Sequence, residues 1–338
     1  MTPSEAAPLV AEREGAAVRD ALQDDLAAIE LSLAGVRAVY APRLDAAARH
    51  SLLAGGKRLR PLLTCAVMRT LGRDPGPQRA VIAAVELIHC GSLLHDDVID
   101  DAETRRGRPA AHLAFDPHTA ILAGDLLLAL ALERLARCGC AALQVAAATA
   151  LVEVCQGEVL EREQRFDPEV DLARARRVNH LKTAALFGYA AEAGALLSGA
   201  SDAERDAARA FGRALGDAFQ TVDDLLDWEG DAATVGKPVG RDLWGGLVTV
   251  PAALAGERDP AVRVMVGRVL QARRDGAASP LELPELAAHL ERAGGFAAAR
   301  ELAAADGRAA TEALGRLPAG PWRTWLETPV RRALERTC

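Results

Sequence analysis

Apolar residues recur along the chain at spacings of three and four, with polar residues on the opposite side of a helical wheel. The stretch from Gly15 to about Val36 is amphipathic in this sense. Two further runs with an apolar helical pattern, one starting near Ala80 and one near Asp202, each end in a group of aspartates. Pro42, Gly55-Gly56, Pro61, Gly72 to Pro77, Pro109, Pro117, Gly139, Pro168, Gly199 and Gly230 punctuate the pattern. The pieces between are mostly roughly 12 to 28 residues, a helical and not a strand length. Val/Ile/Thr alternation of the strand type is nearly absent. The pattern predicts an all-α chain, with residues 1–14 as a flexible N-terminal tail and 15–338 as one domain. Residues 229 to 251 form the longest Gly-rich stretch, and a loop of that length in a compact domain is often functional.

Composition agrees with packed helices. Half of the 338 residues are hydrophobic while only 4% are aromatic, and alanine and leucine dominate. The net charge of −7 argues against a nucleic-acid surface, which needs a basic face. Six cysteines are scattered without a C-x-x-C pair or zinc spacing, so a reduced, cytoplasmic chain is expected. The acidic N-terminus lacks the apolar core of a signal peptide. Uncharged runs stop short of the ~18 apolar residues of a membrane span, so none is expected.

Chemistry concentrates at the two aspartate groups. Asp96-Asp97-Val98-Ile99-Asp100 and Asp223-Asp224-Leu225-Leu226-Asp227 each place carboxylates at i, i+1 and i+4. On a helix these share one face, where they repel each other unless cations intervene. Magnesium takes oxygen ligands of this kind and completes its shell with water and phosphate oxygens. A solvated acidic helix end is the bland alternative, and for a single D-D-x-x-D among 47 acidic residues it is preferred. Two copies are harder to dismiss, because carboxylates at helix C-termini oppose the macrodipole. Matching cations exist in Lys57, Arg60, Arg105, Arg106, Lys182 and Lys237, all of types that bind phosphate oxygens. His89 lies on the same helical stripe as Asp96.

Seven segments together resemble the trans-isoprenyl diphosphate synthases. They are G-G-K-R-L-R-P at 55–61, H-C-G-S-L-L-H-D-D-V-I-D at 89–100, R-R-G-R-P at 105–109, G-D-L-L-L-A at 124–129, K-T-A-A-L-F at 182–187, F-Q-T-V-D-D-L-L-D at 219–227 and G-K-P-V-G-R-D-L at 236–243. The resemblance implies a single large antiparallel helical bundle of the isoprenoid synthase type around a deep central cavity, paired as a homodimer. It implies that Asp96, Asp97, Asp100, Asp223 and Asp227, supported by Asp224, hold about three magnesium ions on an allylic diphosphate. Arg105, Lys182 and Lys237 would bind that same diphosphate. Lys57, Arg60, His89 and Arg106 would bind isopentenyl diphosphate, and Lys182, Thr183 and Gln220 would serve catalysis beside the reacting carbons. The primer would be dimethylallyl, geranyl, farnesyl or geranylgeranyl diphosphate. One departure stands out: where the family reads G-K-x-T-x-P, this chain has Leu247 in place of the lysine.

Product length is read from the residues before the first aspartate group. Ser92 and Ile88 share a helical face with Asp96, and Gly91 lies beside them. In the family, bulky aromatics at the Gly91 and Ser92 positions give short products, and some long-chain members carry an aromatic where this chain has Leu132. Small residues here imply a deep pocket and a long-chain product. The alternatives are a short-chain farnesyl or geranylgeranyl synthase, a class I terpene cyclase, or a non-catalytic partner subunit.

Overall fold

The computed structural model describes residues 3–229, 239–277 and 283–336, with side chains from Gly15 onward. It is 79% helical. The only strands among the described residues are Thr104–Arg105 and Arg108–Pro109, paired antiparallel in a small hairpin. The chain falls into two compact units. Unit 1 comprises Met1–Ala147, Ala190–Ala208 and Leu317–Leu326; unit 2 comprises Ala148–Tyr189, Arg209–Arg316 and Glu327–Cys338.

Unit 1 contains α1 (Pro3–Ala34), α2 (Pro42–Leu52), α3 (Leu59–Thr70), α4 (Arg79–Ile99), α5 (Ala111–Ala114) and α6 (Pro117–Arg137). Helix α1 continues back to Pro3, through the segment set apart from the sequence as a tail. Helix α4 is almost wholly internal, with Ile82, Leu87, Ile88 and Leu94 fully buried. It packs most extensively on α6, which starts at Pro117 because Asp116 caps the Thr119 N–H at 2.9 Å. Glycines set this contact: a Cβ on Gly91 would lie 3.1 Å from the Gly124 carbonyl oxygen, and one on Gly124 would strike His95.

Helix α7 (Ala141–Gln164) begins in unit 1 and continues into unit 2. By length and composition alone it is apolar enough to cross a membrane, a test that the core helix of a soluble protein also passes, so it is weak evidence for a span.

Unit 2 holds α8 (Leu172–Asn179), a π turn at His180–Ala184, the first part of α9 (Ala185–Leu197) and most of α10 (Asp202–Glu229). Phe211, Leu215, Ala218, Val222 and Leu225 form the buried stripe of α10 at spacings of three and four, as its sequence predicts. The remaining helices pack Val250, Val262, Val266, Leu286 and Leu290 into a core shared with Leu225 and Trp228. Small residues let α10 lie backbone to backbone on α9 and the π turn. A Cβ on Gly216 would come 2.6 Å from the Ala184 Cα, and one on Gly212 would come 2.3 Å from the Phe187 carbonyl oxygen.

Gly212→Ala tests this packing. In an exposed helix interior the change gains about 1 kcal/mol. Here it is expected to cost about 1–3 kcal/mol through overpacking, read as a lower denaturant midpoint at unchanged slope.

Candidate active site

In unit 1 the site grows from the C-terminal end of α4. Asp96 and Asp97 lie in its last turn and Asp100 is its C-cap, whose N–H donates to the Asp96 carbonyl at 2.8 Å. The Asp97 carboxylate is buried and accepts from Arg105 Nε at 2.7 Å and also from its Nη2. Arg105 belongs to the hairpin strand, so a predicted metal ligand and a predicted diphosphate cation hold each other. At the hairpin turn, Arg106 and Gly107 both have positive φ (53° and 74°), the conformation a two-residue hairpin loop requires. The turn sends Arg106 onto the Gly55 carbonyl oxygen. Gly56 has a φ of 142°, a conformation that side-chain-bearing residues rarely adopt, and a Cβ there would also push against the Arg106 guanidinium at 2.9 Å.

The same loop carries Lys57, which is exposed, and leads into Arg60 on α3, whose Nη1 lies 3.1 Å from His89 Nε2. Burial and the charges of Arg60, Arg106 and Arg105 hold His89 well below its ordinary pKa, so it is neutral and accepts from Arg60. Arg60 itself is pushed down to about 10 by burial. Arg58, between the two binding candidates, is fully buried and bonded to Glu30 (2.7 Å), Glu86 (2.8 Å) and the Leu52 carbonyl (2.7 Å). Its φ of 46° turns the chain into α3. The structure thus brings Arg60, His89 and Arg106 together, with Arg58 as an anchor the sequence reading did not single out.

The chain-length candidates are also in unit 1. Ile88 is fully buried and Ser92 half-buried, its hydroxyl donating to the His89 carbonyl at 2.9 Å. Gly91 serves the α4–α6 contact, and Leu132 is 45% exposed on α6.

In unit 2 the second aspartate group occupies the last two turns of α10. Its members have different roles. Asp223 is half-exposed and accepts from Arg336 Nη2 at 3.2 Å. Asp224 turns inward: its oxygens accept from Asn179 Nδ2 (3.0 Å), Gln220 Nε2 (3.1 Å) and the Val250 N–H (3.3 Å). Burial pushes it up to about 7 despite those donors. Asp227 caps a short helix at Arg241–Trp244 by accepting from the Asp242 N–H at 3.0 Å. Burial raises Asp242 and Asp227 alike, and the neighbouring carboxylates raise Asp242 further. Asp242 therefore joins the acidic group.

Lys182 and Thr183 sit in the π turn, a local widening of the helix common at functional sites. Lys182 Nζ lies 2.7 Å from both Glu158 and Glu161 of α7. Burial lowers the lysine, but the two glutamates outweigh it and hold it above the ordinary value. Gly157 lets α7 lie close against the π turn, since a Cβ there would lie 2.8 Å from the Lys182 backbone nitrogen. Thr183 donates to Gln220 Oε1 at 2.8 Å, and Gln220 donates on to Asp224. Lys237 lies outside the described residues. Glu158, Glu161 and Asp242 were missed from sequence; the signal for the first two was a glutamate pair three apart, just after a glycine in an apolar helix.

The geometry is an all-α scaffold with carboxylates and cations at helix ends, and solved structures of the same fold resemble it. The chain superposes on a decaprenyl diphosphate synthase from Rhodobacter capsulatus with TM-score 0.88 and 35% identity, covering 96% of this chain and 99% of that one. It is 42% identical over 253 residues to heptaprenyl diphosphate synthase component 2 of Geobacillus stearothermophilus, covering 73% of this chain and 78% of the relative. It is 33% identical to the octaprenyl diphosphate synthase of Escherichia coli over 282 residues, covering 83% and 86%. Residues 41–282 match the Polyprenyl synthetase family. The chain belongs to that family: it is a prenyltransferase of the trans-prenyl diphosphate synthase type with the isoprenoid synthase fold.

Neutral, buried His89 gives a pH test. The unfolded chain takes up a proton near pH 6.5 while folded His89 resists it until well below. The residue therefore lowers stability as pH falls below 6.5, with the unfolded state binding more protons. His89→Gln should lose less stability than wild type between pH 7 and about 5 in denaturant titrations.

Proposed function

We propose that the chain is a long-chain trans-polyprenyl diphosphate synthase. In this reading residues 15–338 form one domain that adds isopentenyl diphosphate repeatedly to an allylic diphosphate. The observation that carries it is a cationic cluster suited to phosphate in one unit and an acidic cluster suited to divalent cations in the other. Unit 1 gathers Arg60, His89 and Arg106 about one loop, and unit 2 gathers Asp223, Asp227 and Asp242. A terpene cyclase needs no second diphosphate site. Lys57, Arg60, His89 and Arg106 bind isopentenyl diphosphate; Arg105, Lys182 and Lys237 bind the allylic one.

Magnesium fits the acidic donors. They are hard carboxylate oxygens, and Asp227 and Asp242 are raised first by burial, with neighbouring carboxylates adding to both, a penalty on their charged forms that a bound cation would relieve. Asp96, Asp97, Asp100, Asp223 and Asp227 would hold about three ions, with Asp224 as a support, and the ions would supply positive charge where the leaving diphosphate develops its own. The residues of the chain do the rest. Lys182 adds a further positive charge, kept protonated by Glu158 and Glu161. Thr183 and Gln220 fix one another, so their dipoles are oriented before an allylic cation forms beside them. The Ala/Leu helices exclude water from that cation. The departing diphosphate takes the proton, and no protein base is needed.

The reading includes a homodimer, which one face of α7 supports. Val145, Val152 and Val159 recur every seven residues, all exposed, forming a stripe that a second copy would cover. A heteromeric assembly is the second reading, favoured by the similarity to a relative named as component 2. A cytoplasmic setting agrees with the absence of disulfide pairing among the described cysteines.

Two experiments test this. Purified chain, isopentenyl diphosphate, an allylic primer and magnesium should yield polyprenyl diphosphates, and chelation by EDTA should abolish turnover. Asp96→Ala and Asp223→Ala should each cut turnover by about 10²-fold or more while the circular dichroism spectrum is unchanged. Product length is read by chromatography after dephosphorylation. Wild type should extend past geranylgeranyl, towards hexaprenyl to decaprenyl. Ser92→Phe should shorten the product, because the small Ser92 leaves room on the α4 face one turn before Asp96.

A further inference from the structure

We infer that Asn179, the last residue of α8, is a positioning residue that sets the direction of the Thr183–Gln220 hydrogen bond through Asp224. Asn179 and Thr183 lie about one turn apart on one segment, and Gln220 and Asp224 lie one turn apart on α10. Two rungs join the segments: Thr183 bonds Gln220, and Asn179 bonds Asp224. Gln220 ties the rungs together by donating to Asp224. Direction along this path is fixed at the carboxylate. Among the described residues donors alone meet Asp224, and a carboxylate accepts from all of them. Its Oδ1 takes Gln220 Nε2 at 3.1 Å, and its Oδ2 takes Asn179 Nδ2 at 3.0 Å and the Val250 N–H at 3.3 Å. With its nitrogen on Asp224, Gln220 turns its oxygen to Thr183, so the one hydroxyl proton of Thr183 is donated to it at 2.8 Å. The Thr183 oxygen then shows lone pairs, the negative end of its dipole, on the side away from Gln220. That is the polarity wanted beside a carbon that becomes positive. Without Asn179, only the longer Val250 contact holds Oδ2, and the carboxylate can swing off Gln220. A Gln220 amide released in this way can flip. A flipped amide offers its N–H to Thr183 and turns the hydroxyl proton outward, which is the wrong polarity. Asn179 thus acts on the pair through an intermediary and needs no contact with substrate.

The inference rests on the proposed function and deepens it. The test compares wild type, Asn179→Leu, Asn179→Asp, Thr183→Val and the double variant Asn179→Leu/Thr183→Val. Leucine keeps nearly the shape of asparagine without its donor, and aspartate keeps the shape with acceptors only. Each is read by the single-turnover rate of adding one isopentenyl unit to a labelled allylic primer, with enzyme in excess and folding checked by circular dichroism. Asn179→Leu and Asn179→Asp are each expected to slow that step about tenfold, as for one hydrogen bond to a charged group. In steady state the KM of both substrates and the magnesium concentration for half-maximal rate should stay at wild-type values. The double variant should be no slower than Thr183→Val alone, because without the hydroxyl there is nothing left to orient. A purely structural residue would slow the Thr183→Val background by the same factor as wild type. Unchanged rates in both Asn179 variants would overturn the inference, as would effects that multiply in the double variant. A raised KM or magnesium requirement would also overturn it, by making Asn179 a prop for binding. If Asn179→Leu does not fold, Asn179→Asp on the Thr183→Val background decides in the same way. A wild-type chain that makes no prenyl product would sink the proposed function and this inference with it, whereas an active wild type with unaffected variants sinks the inference alone.

Discussion

A charge brought into an alanine- and leucine-rich helix interface must be met by a partner, and this constraint organises both units. Removing an ionised group from water costs several kcal/mol unless hydrogen bonds and counter-charges replace the solvent. Arg58 meets it with two glutamates and a carbonyl, Asp97 with Arg105, Lys182 with Glu158 and Glu161, and Asp224 with three neutral donors. Each partnership also fixes a neighbour. Arg58 sets the loop that presents Lys57 and Arg60, and Asp224 steadies Gln220, which steadies Thr183. The candidate binding groups inherit their positions from pairings that are needed for burial in any case.

The small residues act on the same problem from the other side. Gly157, Gly212 and Gly216 let backbones approach within contact distance, which brings the π turn close to α7 and α10 and shortens the reach of Lys182 and Thr183 to their partners. Gly91 and Gly124 do the same for α4 and α6. Tight approach excludes water, and water exclusion strengthens every ion pair inside.

Much of this was readable in the chain. The helical period placed α4 and α10 within a residue or so, and the two D-D-x-x-D groups sit at their ends as the pattern required. Arg60, His89 and Arg106 were each singled out by a motif, although the contacts that gather them span 29 and 51 positions. What could not be read depends on long-range contacts. Asp223, Asp224 and Asp227 look equivalent as letters, yet only the packing of Asn179 and Val250 turns Asp224 inward. Glu158 and Glu161 are two acids among 47 until the π turn brings Lys182 onto them. Gly91 reads as empty space in the sequence and proves to be the point where α6 lies against α4. Arg336 joins Asp223 across 113 positions, a separation no local pattern encodes.

The π turn at His180–Ala184 also bears on how this segment is compared with others. A π turn fits one extra residue into a turn, so the helical phase slips by roughly 100° across it. Residues 172–179 and 185–189 cannot be drawn on one helical wheel, and an apolar stripe followed through the segment changes side at Lys182. An alignment scored on smooth periodicity would absorb the slip as a one-residue gap placed anywhere nearby. The register is pinned instead by the contacts of the turn itself, Lys182 to α7 and Thr183 to Gln220. Deleting a single residue here would leave a perfectly regular helix whose lysine and threonine face the wrong neighbours.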